Sequence, residues 1–378
     1  MIDPNSEDSP GVPRAIEPNV QAVRDPSSTE PAPPPESAEN MVPGHSPPQG
    51  LQSALGRQSE QLAPVKRLYQ MVSDEVAKLF VWQDELVLGT LTALFSGGHV
   101  LIESVPGLGK TLFVRTLGRA LGCDFGRIQF TADLMPSDIT GAPVFDMQKS
   151  EFRFRPGPVF TQLLLADEIN RSPAKTHASL LEIMQEYLVT IDGTSHVVPQ
   201  PFLVMATQNP LESEGTYNLP EAQLDRFMFK LKVDYPSEAQ EAEILKLHSK
   251  QIDLNERLET EVKTVTDPAT VRKLIQLCGT VNVEDALVDY INKIVRATRS
   301  WPAFHIGASP RAGLALMQCA RTLAGFNGRD FAIPDDVIEV ATPALRHRVQ
   351  LTAEAEIEGR DVDDELLAMI RGVEVPRD

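Results

Sequence analysis

The sequence predicts an α/β chain: a central parallel sheet flanked by helices, followed by a small all-helical domain. Three observations carry this. Short apolar runs, "HVLIE", "QLLLADE", "FLVMATQ" and "MFKLKVDY", alternate with stretches of helical period such as "PAKTHASLLEIMQEYL", the order of strand–helix–strand units. A glycine loop, "SVPGLGKT", sits between the first of those strands and the helical stretch "KTLFVRTLGRALG". After Pro236 the strand pattern stops, and "SEAQEAEILKLHSK", "PATVRKLIQLCG", "EDALVDYINKIVRATRS", "SPRAGLALMQCARTLAG" and "IPDDVIEVATPALRHRV" all read as helices.

Three segments follow from this pattern. Residues 1–60 read as a disordered tail. The first 50 residues hold 12 of the 30 prolines and no aromatic side chain, too little apolar surface to offset the entropy of ordering. Residues 61–236 form the strand–helix domain. It opens with two helices, "LAPVKRLYQMVSDEVAKLF" and "DELVLGTLTALFSGG", the second closed by Gly97 and Gly98. Residues 237–378 form the helical domain, which ends in an acidic last helix, "DVDDELLAMIRGVEVPRD".

Composition limits the function classes. The 378 residues carry a formal net charge of −18, and no basic segment follows residue 350, which argues against a nucleic-acid partner, since phosphate contacts need clustered Lys and Arg. Cys123, Cys278 and Cys319 lie far apart, without the spacing of a metal site or a disulfide framework. The N-terminus has no basic start followed by an apolar stretch, and no run approaches the roughly 18 apolar residues that span a bilayer. The expected address is the cytoplasm, with no membrane span.

Five motifs carry chemistry. In "SVPGLGKTL", Gly107 and Gly109 allow backbone amides to wrap phosphates at a helix N-terminus. Lys110 would reach the β- and γ-phosphates of ATP, and the Thr111 hydroxyl would hold Mg²⁺. The loop spans Ser104, Val105, Pro106, Gly107, Leu108, Gly109, Lys110, Thr111 and Leu112. In "LLLADEINR" an apolar strand ends in an acidic pair, 57 residues after Lys110. Asp167 is placed for the Mg²⁺ shell and Glu168 for activating the attacking water; a helix-capping acidic pair is the competing reading. In "VMATQNP", Asn209 stands at another strand end, where it would bond the attacking water or the γ-phosphate. In "EAQLDRF" a helix ends in Arg226, an arginine to offer a neighbouring γ-phosphate. A salt bridge to Asp225 or Glu221 is the alternative there. In "GASPRAG", Arg311 lies in the first turn of a helix of the C-terminal domain, placed to report nucleotide state to that domain.

Together these motifs resemble the AAA+ ATPases and, within them, the MoxR family. The resemblance runs from about Leu62 to the C-terminus. It rests on "HVLIESVPGLGKT", "FRFRPGPVF", "LLLADEINRSPAKTHASLLEIMQEYLVTIDG" and "FLVMATQNPLESEGTYNLPEAQLDRFMFKL". It implies an AAA+ P-loop NTPase domain with a lid domain, ATP hydrolysis with Mg²⁺, and a homo-oligomeric, hexameric ring with ATP between subunits. Lys110 and Thr111 match Walker A, and Asp167 and Glu168 match Walker B. Asn209 is similar to sensor 1, Arg226 to the arginine finger and Arg311 to sensor 2. The resemblance also implies chaperone-like remodelling, maturation or metal and cofactor insertion in protein partners, including von Willebrand factor A domain proteins. "TADLMPSDITGAPVFDMQKSEFRFRPGP" is similar to the family's insert in the second helix, a hairpin expected to project into the ring; Phe145, Phe152 and Phe154 are expected to pack within it.

Two positions depart from the family pattern. Ser104 replaces the first Walker A glycine, and a positive φ there would cost roughly 1–2 kcal/mol. Trp82 stands where the family has glycine beside the adenine. They leave open an alternative, an ATP-binding switch that hydrolyses little.

Overall fold

The computed structural model describes residues 59–80, 84–105, 108–209, 217, 219–233, 235, 237–242 and 254–376. All of the expected tail but Ser59 and Glu60 lies outside them, as do Trp82, Pro106 and Gly107 of the glycine loop, and most of "SEAQEAEILKLHSK".

The chain opens with α1 (Ala63–Ala77) and α2 (Asp84–Phe95), then β1 (Val100–Ser104) and α3 (Lys110–Leu121). Next come β2 (Phe125–Gln129), the single-turn α4 (Pro136–Thr140), and the hairpin of β3 (Gly141–Asp146) and β4 (Glu151–Pro156). β5 (Leu163–Asp167), α5 (Ala174–Glu186), a second hairpin of β6 (Leu188–Ile191) and β7 (Thr194–Val197), and β8 (Leu203–Gln208) follow. The one-turn α6 (Glu221–Leu224) leads into β9 (Phe229–Val233).

Five strands form one sheet in the order β2-β5-β8-β1-β9, and every pairing in it is parallel. Parallel strands are covered on both faces, so they read as continuous apolar runs rather than alternating ones. Their side chains still divide by parity. Val100, Ile102, Leu163, Leu165, Leu203 and Met205 face the core that includes α1, α2, α3 and the C-terminal helices. Leu101, Leu164, Ala166, Val204 and Ala206 face the core under α5. Both sets are fully buried.

The C-terminal part carries α7 (Leu254–Glu261), α8 (Pro268–Cys278), α9 (Asp285–Thr298), α10 (Pro310–Phe326), α11 (Pro334–Leu345), α12 (Ala353–Ile357) and α13 (Val362–Arg371). It also holds a ribbon that the sequence does not announce: β10 (Phe304–Ile306) pairs antiparallel with β11 (Gln350–Leu351). Tyr69 of α1 stacks on Phe326 of α10 with ring centroids 4.3 Å apart. The described residues belong to one compact unit.

Three details differ from expectation. Arg226 does not end a helix; it lies two residues past α6. Phe145 and Phe152 are not packed away. They are 48% and 73% exposed, and touch each other edge to face at 5.2 Å. Among the described residues the β3–β4 hairpin has no sheet partner beyond its own two strands, so its alternate residues have little to cover them. Phe154 is half-buried and stacks on His196 of β7 at 4.1 Å. The three cysteines are buried free thiols, and burial pushes each up to about 12.

Candidate nucleotide site

Ligands of open parallel sheets bind beyond the carboxyl ends of the strands. Here β1, β8 and β5 are neighbours, and their carboxyl ends bring Ser104, Gln208 and Asp167 to one edge. Asn209 follows directly on β8.

The glycine loop turns into α3 through Gly109, whose φ of +73° is a left-handed conformation that glycine adopts without strain. The first turn of α3 contains no acidic side chain, and no side chain caps it. Its leading amides, those of Lys110, Thr111 and Leu112, are thus available to an anion. Lys110 is the first residue of the helix, and its side chain turns back over the strand end. Its Nζ donates to Ser104 Oγ at 2.5 Å and to the Val105 carbonyl at 3.2 Å. Among the described residues no carboxylate forms an ion pair with it. Burial lowers its pKa, against the raising influence of Asp167 and Glu168.

Ser104 resolves one of the two departures. It is a paired residue of β1, opposite Val233, and is not among the residues with positive φ. The left-handed strain does not arise. Its hydroxyl instead gives Lys110 a partner that a glycine could not. Removing that hydroxyl should favour nucleotide, because the lysine no longer leaves a bond to reach phosphate. Ser104→Ala should tighten ATP binding by roughly threefold to tenfold, the worth of one net hydrogen bond. Titration with a fluorescent ATP analogue checks this. Weaker binding would mean that Ser104 supports Lys110 in the bound state as well.

The acidic pair is fixed by a single hydroxyl. Thr207 Oγ1, in β8, donates to Asp167 Oδ1 at 2.6 Å and accepts from the Glu168 backbone N–H at 2.9 Å. Glu168 has φ +57° and ψ +48°. A non-glycine residue pays of order 1–2 kcal/mol for that conformation. The bond from the Glu168 N–H to Thr207 helps hold that conformation. Further partners come from β2 and from Arg171, three residues after Glu168. Gln129 lies opposite Asp167 in register. Its amide donates to Glu168 Oε2 at 2.8 Å, and Arg171 lies 3.2 Å from the same oxygen. Arg127 donates to Asp167 Oδ2 at 2.6 Å. Gln129, Arg127, Thr207 and Arg171 are not singled out by sequence motifs. The run "FGRIQ" has one fully buried residue of five, so β2 lacks the apolar signature of the other strands.

The two arginines stand outside this cluster. Arg226 Nη1 donates to the Leu181 carbonyl of α5 at 2.7 Å. Neither salt bridge open to it in the sequence is formed: Asp225 pairs with Arg348, and Glu221 accepts from Gln350. Arg311 is exposed in the first turn of α10, where Ser309 caps the helix by accepting from the Arg311 N–H. Among the described residues no hydrogen bond or ion pair joins Arg226 or Arg311 to Lys110, Asp167 or Glu168.

These residues fit a nucleotide and its metal. A half-buried ammonium without an ion pair, open helix amides and a fixed carboxylate pair lie along one sheet edge. Among the described residues no group of three or more His, Cys, Asp or Glu could hold a metal alone. Mg²⁺ characteristically takes one or two carboxylates together with substrate phosphates and water, and Asp167 with Thr111 is such a donor set.

Comparison with known proteins agrees with this geometry. The profile of the ATPase family associated with various cellular activities matches residues 99–229, and that of the AAA lid domain matches residues 296–368. The chain is 47% identical to the chaperone MoxR1 of Mycobacterium tuberculosis over 292 residues, 74% of this chain and 75% of that protein. The chain belongs to the MoxR family of AAA+ ATPases. Two further relatives match over most of their length. Identity is 30% to the protein MoxR of Methylorubrum extorquens, over 78% of this chain and 91% of that one. It is 43% to the uncharacterized protein YeaC of Bacillus subtilis, over 80% and 93%. A crystal structure of a Cytophaga hutchinsonii protein described as a candidate ATPase superposes with a TM-score of 0.77 at 38% identity, over 87% of this chain and all of that one. This MoxR-family chain is an ATPase with the AAA+ fold, and no helix among its described residues is long and apolar enough to cross a membrane.

Proposed function

We propose that this MoxR-family ATPase works as a hexameric ring in the cytoplasm. It hydrolyses ATP at subunit interfaces and uses the cycle to remodel protein partners, in maturation or in metal or cofactor insertion. One observation supports the interface reading above others. Asp167 and Glu168 are held by Thr207 and Gln129 and paired with Arg127 and Arg171 of the same chain, whereas among the described residues neither Arg226 nor Arg311 is bonded to these carboxylates or to Lys110. Arg226 is thereby left to be offered to a γ-phosphate bound by a neighbour.

In this reading the loop from Ser104 to Leu112 wraps the phosphates, and Lys110 leaves Ser104 to meet the β- and γ-phosphates. Thr111 and Asp167 would hold Mg²⁺, whose positive charge would offset the negative charge of the phosphates. Glu168 takes a proton from the attacking water, or orients it, and Asn209 holds that water or the γ-phosphate. Arg226 of one subunit reaches the γ-phosphate bound by the next, and Arg311 senses it from the lid.

Protein partners, von Willebrand factor A domain proteins among them, suit the exposed apolar tip of the β3–β4 hairpin, where Val144, Phe145, Met147 and Phe152 are 48–87% exposed. Scattered exposed apolar residues are ordinary, but a contiguous group marks an interaction surface. The alternative, a switch with little hydrolysis, keeps only Trp82 as its support, since Ser104 sits in β1 without strain. Assembly tests the proposal. Sedimentation velocity should show a hexamer-sized species with ATP and Mg²⁺ and smaller species without nucleotide; a monomer under both conditions would contradict the ring.

A further inference from the structure

We propose that Asp225 and Arg348 are positioning residues for Arg226, and that they join the helix carrying Arg311 to the arginine offered to the neighbouring subunit. This rests on the interface reading above. The observation is a buried knot around the three residues that flank Arg226. Arg348, just past α11, donates Nε to Asp225 Oδ1 at 2.8 Å. Its Nη2 donates to the Phe227 carbonyl at 2.7 Å, and its Nη1 to the Met228 carbonyl at 3.2 Å and the Ala344 carbonyl. A long contact of 3.4 Å runs from Nη2 to the Asp225 carbonyl. His347 Nε2 lies 3.0 Å from the Phe227 carbonyl oxygen. The Arg348 side chain is 3% exposed and that of Asp225 20%.

The second oxygen of Asp225 leads to the lid. Ser309, the N-cap of α10, donates Oγ to Asp225 Oδ2 at 3.0 Å while accepting from the Arg311 N–H. One carboxylate thus holds the start of the Arg311 helix and the Arg348 guanidinium. Arg311 is also near enough for its charge to oppose that of Arg348. Residues 225, 227 and 228 are held by the lid, while Arg226 between them is held by α5 through Leu181. A guanidinium with this many fixed acceptors defines a direction as well as a position. A shift of α10 when Arg311 meets the γ-phosphate therefore reaches Arg226 through Ser309 and Asp225. Coupling of this kind is reciprocal.

The test uses the full chain in mixed rings. Asp225→Asn and, separately, Arg348→Lys should leave KM for ATP within about twofold and lower kcat at least about tenfold, as expected when only a transition-state contact is displaced. Co-expressing either variant with Lys110→Ala subunits should restore turnover. The variant keeps its own Lys110, Thr111, Asp167 and Glu168, and the Lys110→Ala neighbour lends a well-placed Arg226. In a random one-to-one ring of head-to-tail interfaces, about a quarter of sites pair an intact pocket with an intact arginine. A purely structural or same-site role would not be rescued in this way. Arg226→Ala with Lys110→Ala is the reference pair. Restoration in the reference pair but not with Asp225→Asn or Arg348→Lys overturns this inference and leaves the interface reading standing. Failure of the reference pair overturns both. Parental kcat in Asp225→Asn homomers also overturns the inference. If the single variants fold poorly by circular dichroism, Asp225→Leu/Arg348→Met removes the ion pair without leaving a buried charge unpaired and carries the same test.

Discussion

Glu168→Gln is expected to bind ATP with parental affinity and to hydrolyse it roughly a hundred- to ten-thousandfold more slowly, the contribution of a positioned general base. The structure makes this a clean substitution. The backbone at Glu168 is left-handed, and the hydrogen bond from its N–H to Thr207 does not involve the side chain. A glutamine keeps the length and one acceptor oxygen, which can still take the bonds from Gln129 and Arg171. Lys110, Thr111 and Asp167 are untouched, so the nucleotide keeps its contacts. What is lost is the basicity. ATP should then accumulate unhydrolysed and hold the ring assembled. Equilibrium binding and single-turnover hydrolysis on the same sample separate the two effects. Parental turnover in this variant would remove Glu168 from the catalytic role.

Arg226→Ala should lower turnover by about a thousandfold or more, the scale of an arginine supplied from a neighbour, with little change in ATP affinity. Homomeric rings of Arg226→Ala and of Lys110→Ala should both be nearly silent. Rings containing both should recover. The reason is geometric: Arg226 bonds to α5 and to none of Lys110, Asp167 or Glu168 of its own chain. The loss of one bond to the Leu181 carbonyl is a modest structural change for a half-buried side chain. Circular dichroism of the variant should therefore match the parent. Mixed rings with no recovery would assign Arg226 to local packing.

The parts of the site that the sequence makes legible are those in which residue type and strand context coincide. Lys110, Asp167, Glu168 and Asn209 each lie at or beyond the end of a strand that opens with an apolar run, and the parallel pairing of β1, β8 and β5 brings those strand ends to one edge. The supporting partners are harder to see. Gln129 and Arg127 act only because β2 pairs in register with β5, and β2 is too exposed to read as a buried strand. Thr207 is an unremarkable strand threonine until the fold places it between the two acidic residues. Asp225 and Arg348 are 123 residues apart, a distance no local pattern bridges. The second hairpin carries a local signal of its own. Asp192 and Gly193, both with positive φ, form the two-residue turn between β6 and β7, and an Asp-Gly pair between alternating runs is a strong hairpin signal. Phe145 and Phe152 fail for the opposite reason. Resemblance to the family's insert implies the hairpin, but it does not say whether anything covers its faces.

The most direct test of a site completed by a neighbour is ATP turnover per subunit, with Mg²⁺, across a wide range of protein concentration. The account predicts turnover near background in dilute solution that rises and saturates as rings assemble. Turnover per subunit that stays constant at every concentration, or stays at background in a folded and concentrated sample, would contradict it.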